Sequence, residues 1–218
     1  MRTVHVPAKR WTKTRGLTMV ELLVIIALII ICGVGLLLRP GRAWRNGPRI
    51  RCCNNLKEVG NSFFFFSADH TNLFPTTLST NYGGGREWAR AVFRHHLGVS
   101  NELPGPTVLA CPADRERKPA TDWLSLHNDN VSYFVSLDAN ETQPQSILAG
   151  DRNLTIDGAP VKPGVVILTS NTVLGYTAEA HNGRGNVLLA DGSVQQVTPS
   201  RLCAIMRDTG LTNRIAIP

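Results

Sequence analysis

His181 precedes Asp191-Gly192 by ten residues in the segment HNGRGNVLLADGSVQQV. A histidine and an aspartate so spaced can relay a proton or contribute to a metal shell. A metal would require a third and usually a fourth ligand, and between the two only the backbone and Asn182 offer one. A catalytic dyad would require a nucleophile, and Ser193 lies across a turn. The residue types fit a structural role better: His181 bonds to backbone and locks a hairpin. Neither a catalytic residue nor a metal-ligand set is therefore expected. The loop DRNLTIDG carries Asp151, Asn153 and Asp157, an oxygen-rich stretch without the dense acidic spacing of a calcium loop. His95 and His96 are adjacent, diverge on a helix, and read as a solvated helix end.

Five cysteines are the other reactive groups. Cys32 sits in an apolar run and reads as unpaired packing. Cys52, Cys53, Cys111 and Cys203 permit three complete pairings. Cys53 falls on the expected inward face of a helix and Cys111 in a loop that packs nearby, which favours Cys53–Cys111. There is no CxxC, which argues against structural zinc and a thioredoxin-like role.

These groups need elements to position them. SYFVSL, SILAGD, GVVILTS, NVLLA and SVQQV alternate with period two and read as strands. Asp191-Gly192 between the last two is a two-residue hairpin signal. TPSRLCAIMRDTG closes the chain with a helix: Thr198 is the N-cap, Pro199 the first turn, Gly210 the stop. Upstream, Ile50, Cys53, Leu56, Val59 or Gly60, Phe63 and Phe66 recur at helical spacing to about Ala68. The four phenylalanines Phe63–Phe66 overfill that face, so Phe64 or Phe65 packs on another element or subunit. REWARAVFRHHL reads as a short helix with Trp88, Val92 and Phe93 on one side.

Leu17–Leu38 is an apolar run of 22 residues with Glu21 as its only charge. Its length suits a membrane-crossing helix. A secretory signal has a shorter apolar region followed by a small-residue cleavage site, and none follows here. RPGRAWRNGP, Arg39–Pro48, should kink or break the helix, with Trp44 and the arginines at lipid-headgroup depth. Basic residues tie at five on each side of the run, so charge sets no orientation. A carboxylate one turn inside an apolar helix asks for a partner. A cut between Gly16 and Leu17 would create one, the free amine of a neighbouring copy.

A basic leader, Gly16, an apolar residue after it and Glu21 fifth after the cut resemble the type IV prepilins, including the pseudopilins of type II secretion. Leu17 stands where most members have phenylalanine. His181, Asp191 and Gly192 resemble the H-X9-DG element of a large bacterial group of prepilin-like proteins, and CNNLKEVG, DHTNLFP, VLACPAD and SILAGD fit the same group. The resemblance implies cleavage after Gly16 by a prepilin peptidase and N-methyltransferase, then assembly with copies of itself and other pilins or pseudopilins. It also implies contact with an inner-membrane assembly platform and the lipid bilayer. The expected organisation is a leader at 1–16, a transmembrane helix at 17–38, a continuing helix at 39–70 and an extracytoplasmic domain at 71–218, with the hairpin at 181–197. The expected fold class is α+β and pilin-like, a long N-terminal transmembrane and amphipathic helix packed on a small antiparallel sheet. The expected location is the bacterial inner membrane, single-pass, with the leader cytoplasmic, and then a pilus or pseudopilus.

The formal charge of +7 sits largely in the leader: without Arg2, Lys9, Arg10, Lys13 and Arg15, 18 basic residues face 16 acidic ones. Nucleic acid is therefore not an expected partner. The leading expectation is a non-enzymatic filament subunit without cofactor. The alternative is a tethered binding module, an adhesin or minor pilin, with calcium as the one cation the resemblance raises. A tethered enzyme would need His181 and Asp191 to converge with a nucleophile or metal.

Overall fold

The computed structural model describes residues 16–37, 41–210 and 212–218, with backbone alone at 35–37 and 41–46. The basic leader residues, and the side chains of Arg39, Arg42, Trp44 and Arg45, lie outside the described residues. The chain forms two compact units, Met1–Trp44 and Arg45–Pro218.

In the first unit, α1 (Met19–Leu37) is 19 residues long. Its start is fixed by a reciprocal cap. Glu21 Oε2 accepts from the Thr18 backbone N–H at 2.8 Å and from the Thr18 hydroxyl at 2.9 Å. Thr18 Oγ1 in turn accepts from the Glu21 N–H at 3.3 Å. The described part of the run expected to cross a membrane, α1, measures about 28 Å at ~1.5 Å per residue, against a hydrocarbon core of about 30 Å. Among the described residues no helix is long and apolar enough to cross a membrane. The expected single-pass placement in an inner membrane is corrected accordingly.

The fold class is corrected as well. The chain is α+β, but not one long N-terminal helix on one small sheet. Helix α2 (Gly41–Asp69) runs through Pro48, where a kink or break was expected. The strands form a six-stranded and a three-stranded antiparallel sheet. After α2 comes α3 (Val92–Leu97). The strands are β1 (Tyr133–Ser136), β2 (Ile147–Asp151), β3 (Leu154–Ile156), β4 (Ala159–Pro160), β5 (Gly164–Leu168) and β6 (Leu174–Tyr176). Then come α4 (Ala178–His181), β7 (Gly185–Leu189), β8 (Val194–Val197), α5 (Pro199–Thr209) and β9 (Asn213–Ile217). The large sheet has the order β5-β9-β1-β2-β7-β8, the small one β4-β3-β6. The chain thus ends in a strand wedged between β5 and β1, not in the expected helix.

Both faces of the large sheet are covered, so its central strands are apolar on both sides. Tyr133, Val135, Leu148, Leu188 and Ala216 join Cys52, Leu56, Val59, Phe63 and Phe66 of α2 in one core. Phe134, Ile147, Val187, Leu189, Ile215 and Ile217 join Leu202, Ile205 and Met206 of α5 and Leu154, Leu174 and Tyr176 of the small sheet in another. Alternation assigns neighbouring residues to opposite cores. One place breaks it: the β2–β7 register shifts between Ile147 and Ala149, and Leu148 and Ala149 both belong to the α2 core. That bulge puts Asp151 on the α2 face beside its register partner Tyr133.

Two further expectations change. The inward face of α2 carries Cys52, fully buried, in phase with Leu56, Val59 and Phe63; Cys53 is half-buried and Ile50 exposed. Phe64 packs edge-on against Phe74 at 5.4 Å, while Phe65 stays exposed. His95 and His96 are not solvated. Both rings are buried on α3, and none of their four ring nitrogens has a hydrogen-bond partner among the described residues. His96 lies 5.8 Å from the Phe63 ring. Of the six residues of α3 only Arg94 is exposed, while Val92, His95 and His96 are buried.

Candidate functional site

At the end of the large sheet nearest the start of α2, several side chains singled out in the sequence meet others that were not. The bulge in β2 delivers Asp151 and the first residues of β7 deliver Asn186. Asp151 Oδ2 accepts from the Asn186 backbone N–H at 2.7 Å and from its side-chain amide at 2.9 Å. His181, the last residue of α4, brings Nε2 within 3.3 Å of the same oxygen. The helix stops there because Asn182 and Gly183 both take positive φ, 54° and 72°. Gly185 is held as glycine because a Cβ there would lie 2.1 Å from Cε1 of Tyr176.

From α2, Arg49 Nη2 donates to the Gly185 carbonyl at 3.2 Å and Cys53 Sγ to Asn186 Oδ1 at 3.1 Å. Cys52 is joined to Cys111 in a disulfide. The expected Cys53–Cys111 pair is therefore corrected by one residue, which on a helix is a turn of about 100°. That rotation sends Cys53 toward β7 and β8, where Gln196 donates to its sulfur at 3.3 Å. Cys111 Sγ lies 3.4 Å from His181 Nε2. The loop behind it is pinned by Asp114, whose two oxygens take Arg152 Nε at 2.7 Å and Nη2 at 2.9 Å.

His181 and Asp191 are not brought together. Asp191 stays at the hairpin tip, where Oδ1 accepts from the Ser193 N–H at 2.8 Å and Oδ2 from Gln145 at 3.3 Å. The tip is a three-residue loop, not two: the Leu189 N–H reaches the Ser193 carbonyl, the Gly192 N–H reaches the Leu189 carbonyl, and Gly192 has φ 81°. Nor does His181 lock the hairpin through backbone, since its Nε2 faces Asp151, Asn186 and Cys111. The residues weighed for calcium go to separate places: Asp151 Oδ2 accepts from Asn186, Asn153 donates through Nδ2 to the Thr177 carbonyl, and Asp157 sits on an exposed turn at φ 50°, while Asp151 Oδ1 and Asn153 Oδ1 are buried without a partner among the described residues.

The electrostatics follow from burial. Desolvation raises Asp151 to about 7, against the opposing pull of the Asn186 donors and the Arg49 charge. Desolvation, then the charge of Arg49, lowers His181 to about 4. Between those values the pair carries no net charge. Desolvation also raises the Cys53 thiol, so it is a poor nucleophile at neutral pH. Cys52, Cys111 and His181 place donor atoms within 4.8 Å of one another, the one such group among the described residues. Both sulfurs are spent in the disulfide, which leaves His181 alone as a ligand. His181 also lines a cleft of about 550 Å³ together with Arg49, Arg115, Glu179 and Arg184.

The buried acid makes one prediction. A carboxyl whose folded value lies above its unfolded one stabilises the fold at low pH, and that stability is lost as pH rises from about 4 to about 7. Asp151→Asn keeps an acceptor for both Asn186 donors and removes the titration. Its stability relative to the native chain should therefore improve between pH 5 and pH 8, read from denaturation midpoints. An unchanged difference would mean that Asp151 is ionised throughout.

No family model, curated protein or solved structure matches the chain.

Proposed function

We propose that the chain is the precursor of a filament subunit, cut between Gly16 and Leu17, methylated on the new amine and polymerised through α1. The observation that carries this reading is the surface of α1. Every large apolar residue among Leu17, Met19, Val20, Leu22–Ile26, Leu28–Ile31 and Val34 is between 44% and 81% exposed. An apolar surface of this extent requires a partner, and an identical helix supplies one of matching length and character. Cleavage leaves the Thr18–Glu21 cap intact, because Thr18 keeps its backbone N–H when Leu17 becomes the terminus.

Glu21 therefore has two roles to separate, a local cap and a charge partner for a neighbouring amine. Glu21→Gln preserves an acceptor for Thr18 but removes the charge. The native chain should have a methylated Leu17 terminus and sediment as filaments, whereas the glutamine variant should be processed yet remain unassembled. Filaments from Glu21→Gln equal to the native yield would reduce Glu21 to a cap. An uncut Met1 terminus in a host with an active prepilin peptidase would defeat the processing reading. The arginine-lined cleft favours a second reading, a subunit that also presents a ligand site.

A further inference from the structure

The cleft beside His181 has a composition that restricts what it can hold. Arg49, Arg115 and Arg184 line it, with Glu179 as the one carboxylate, and no large apolar side chain is present. Among the described residues none of these three guanidiniums and no Glu179 oxygen takes part in an ion pair. Three positive groups facing one concave space repel one another. Arg49 and the backbone that carries the other two are nevertheless fixed in place.

Arg49 is anchored by the Gly185 carbonyl at 3.2 Å and by Asn186 Oδ1 at 3.5 Å. Asn186 is itself fully buried and tied to Asp151. Pro112 and Ala113, also in the lining, follow the disulfide-bonded Cys111 and precede Asp114, which is clamped by Arg152. Arg184 follows two residues of positive φ at the end of α4. The walls are therefore set by a disulfide, a bidentate ion pair and a buried amide.

We infer that this cleft is a binding site for a small, doubly charged oxyanion, a phosphate monoester or a dicarboxylate. Three guanidiniums less one carboxylate leave two positive charges to be met. Guanidinium forks match the planar or tetrahedral oxygens of such groups in paired hydrogen bonds. The volume of about 550 Å³ suits a small molecule. The polar lining excludes a lipid chain or an aromatic ligand. His181 forms the neutral part of the wall, and Arg49 keeps its Nε and one Nη on the protein while its remaining donors are free for the ligand. Binding there is independent of assembly through α1.

Titration calorimetry on the full chain at low ionic strength tests it, with inorganic phosphate, succinate and sodium chloride as separate arms. Saturable binding of phosphate or succinate is expected, and the tighter of the two identifies the ligand class. Arg115→Gln and Arg184→Gln lie on exposed residues, and each should weaken binding about tenfold or more, the scale of one lost charge-assisted hydrogen bond. Unchanged melting temperatures for both variants establish that they fold. A second readout comes from the charge that Arg49 exerts on His181: the bound anion should move the His181 titration upward, followed by proton NMR. No saturable binding at tens of millimolar ligand would overturn the inference. So would equal affinity in the double variant, or a chloride response equal to that of phosphate.

Discussion

Cys111→Ser should cost the Arg45–Pro218 unit about 4 kcal/mol under oxidising conditions, a large share of the roughly 5–15 kcal/mol that holds an ordinary domain folded. The disulfide spans a sequence separation of 59, and a cross-link of that reach removes much of the entropy of the unfolded chain in the loop-closure account. Cys52→Ser should behave alike. Cys53→Ser should remain within about 1 kcal/mol of native, because it loses only hydrogen bonds to Asn186 and Gln196. The measurement is a denaturation midpoint with and without a dithiol. Reductant should bring the native chain down to the level of Cys111→Ser and leave that variant unmoved. If Cys53→Ser proves the destabilised variant, the pairing is Cys53–Cys111 after all.

Acid should weaken the fold well before its carboxylates are all protonated. His95 is lowered to about 4 by burial, and His96 to about 3 by burial and by the charge of His95. The unfolded chain binds a proton at each of these sites near pH 6.5, whereas the folded chain does not until pH 3 to 4. Stability is therefore full above about pH 6.5 and is lost as pH falls, by up to roughly 1.4 kcal/mol per pH unit for each histidine. His181 adds a contribution of the same sign, and Asp151 opposes them over the window from about 4 to about 7. Three against one leaves a net loss toward acid. His96→Leu, which keeps an apolar group against Phe63, should flatten the slope between pH 7 and pH 4.5. An identical slope in that variant would show that the His96 ring finds a proton partner.

Much of the strand framework could be read from sequence, because short apolar runs bounded by Gly and Asp turns are local, although β1, β2 and β7 are buried along their whole length. The caps of α5 were equally legible: Thr198 accepts from the Arg201 N–H at 3.3 Å, and Gly210 takes φ 62°. The cap at Thr18–Glu21 is legible too, as Thr-x-x-Glu before an apolar run. What failed depended on distance in space. Choosing Cys53 over Cys52 took the right helix one residue out of phase. β9 escaped because five residues after a helix stop gave no alternation, and its place was made by β5 and β1 on either side. Asp151 could not be assigned to His181 because their meeting depends on a shifted register and a four-residue helix. Asp191, which was paired with His181 by spacing, serves the turn alone.

The bulge in β2 also sets which changes of length the chain can tolerate. Removing Leu148, the extra residue between Ile147 and Ala149, would restore simple alternation and leave Gly150 and Asp151 on the sides they now hold. A second single-residue loss would drive a carboxylate toward the aliphatic layer over α5, and Gly150, whose place against the Phe134 ring admits no Cβ, would leave its slot. Descendants of this sequence can therefore lose the bulged residue, at the cost of the buried Leu148 side chain, while other single-residue changes are confined to the loops before Ser146 and after Arg152.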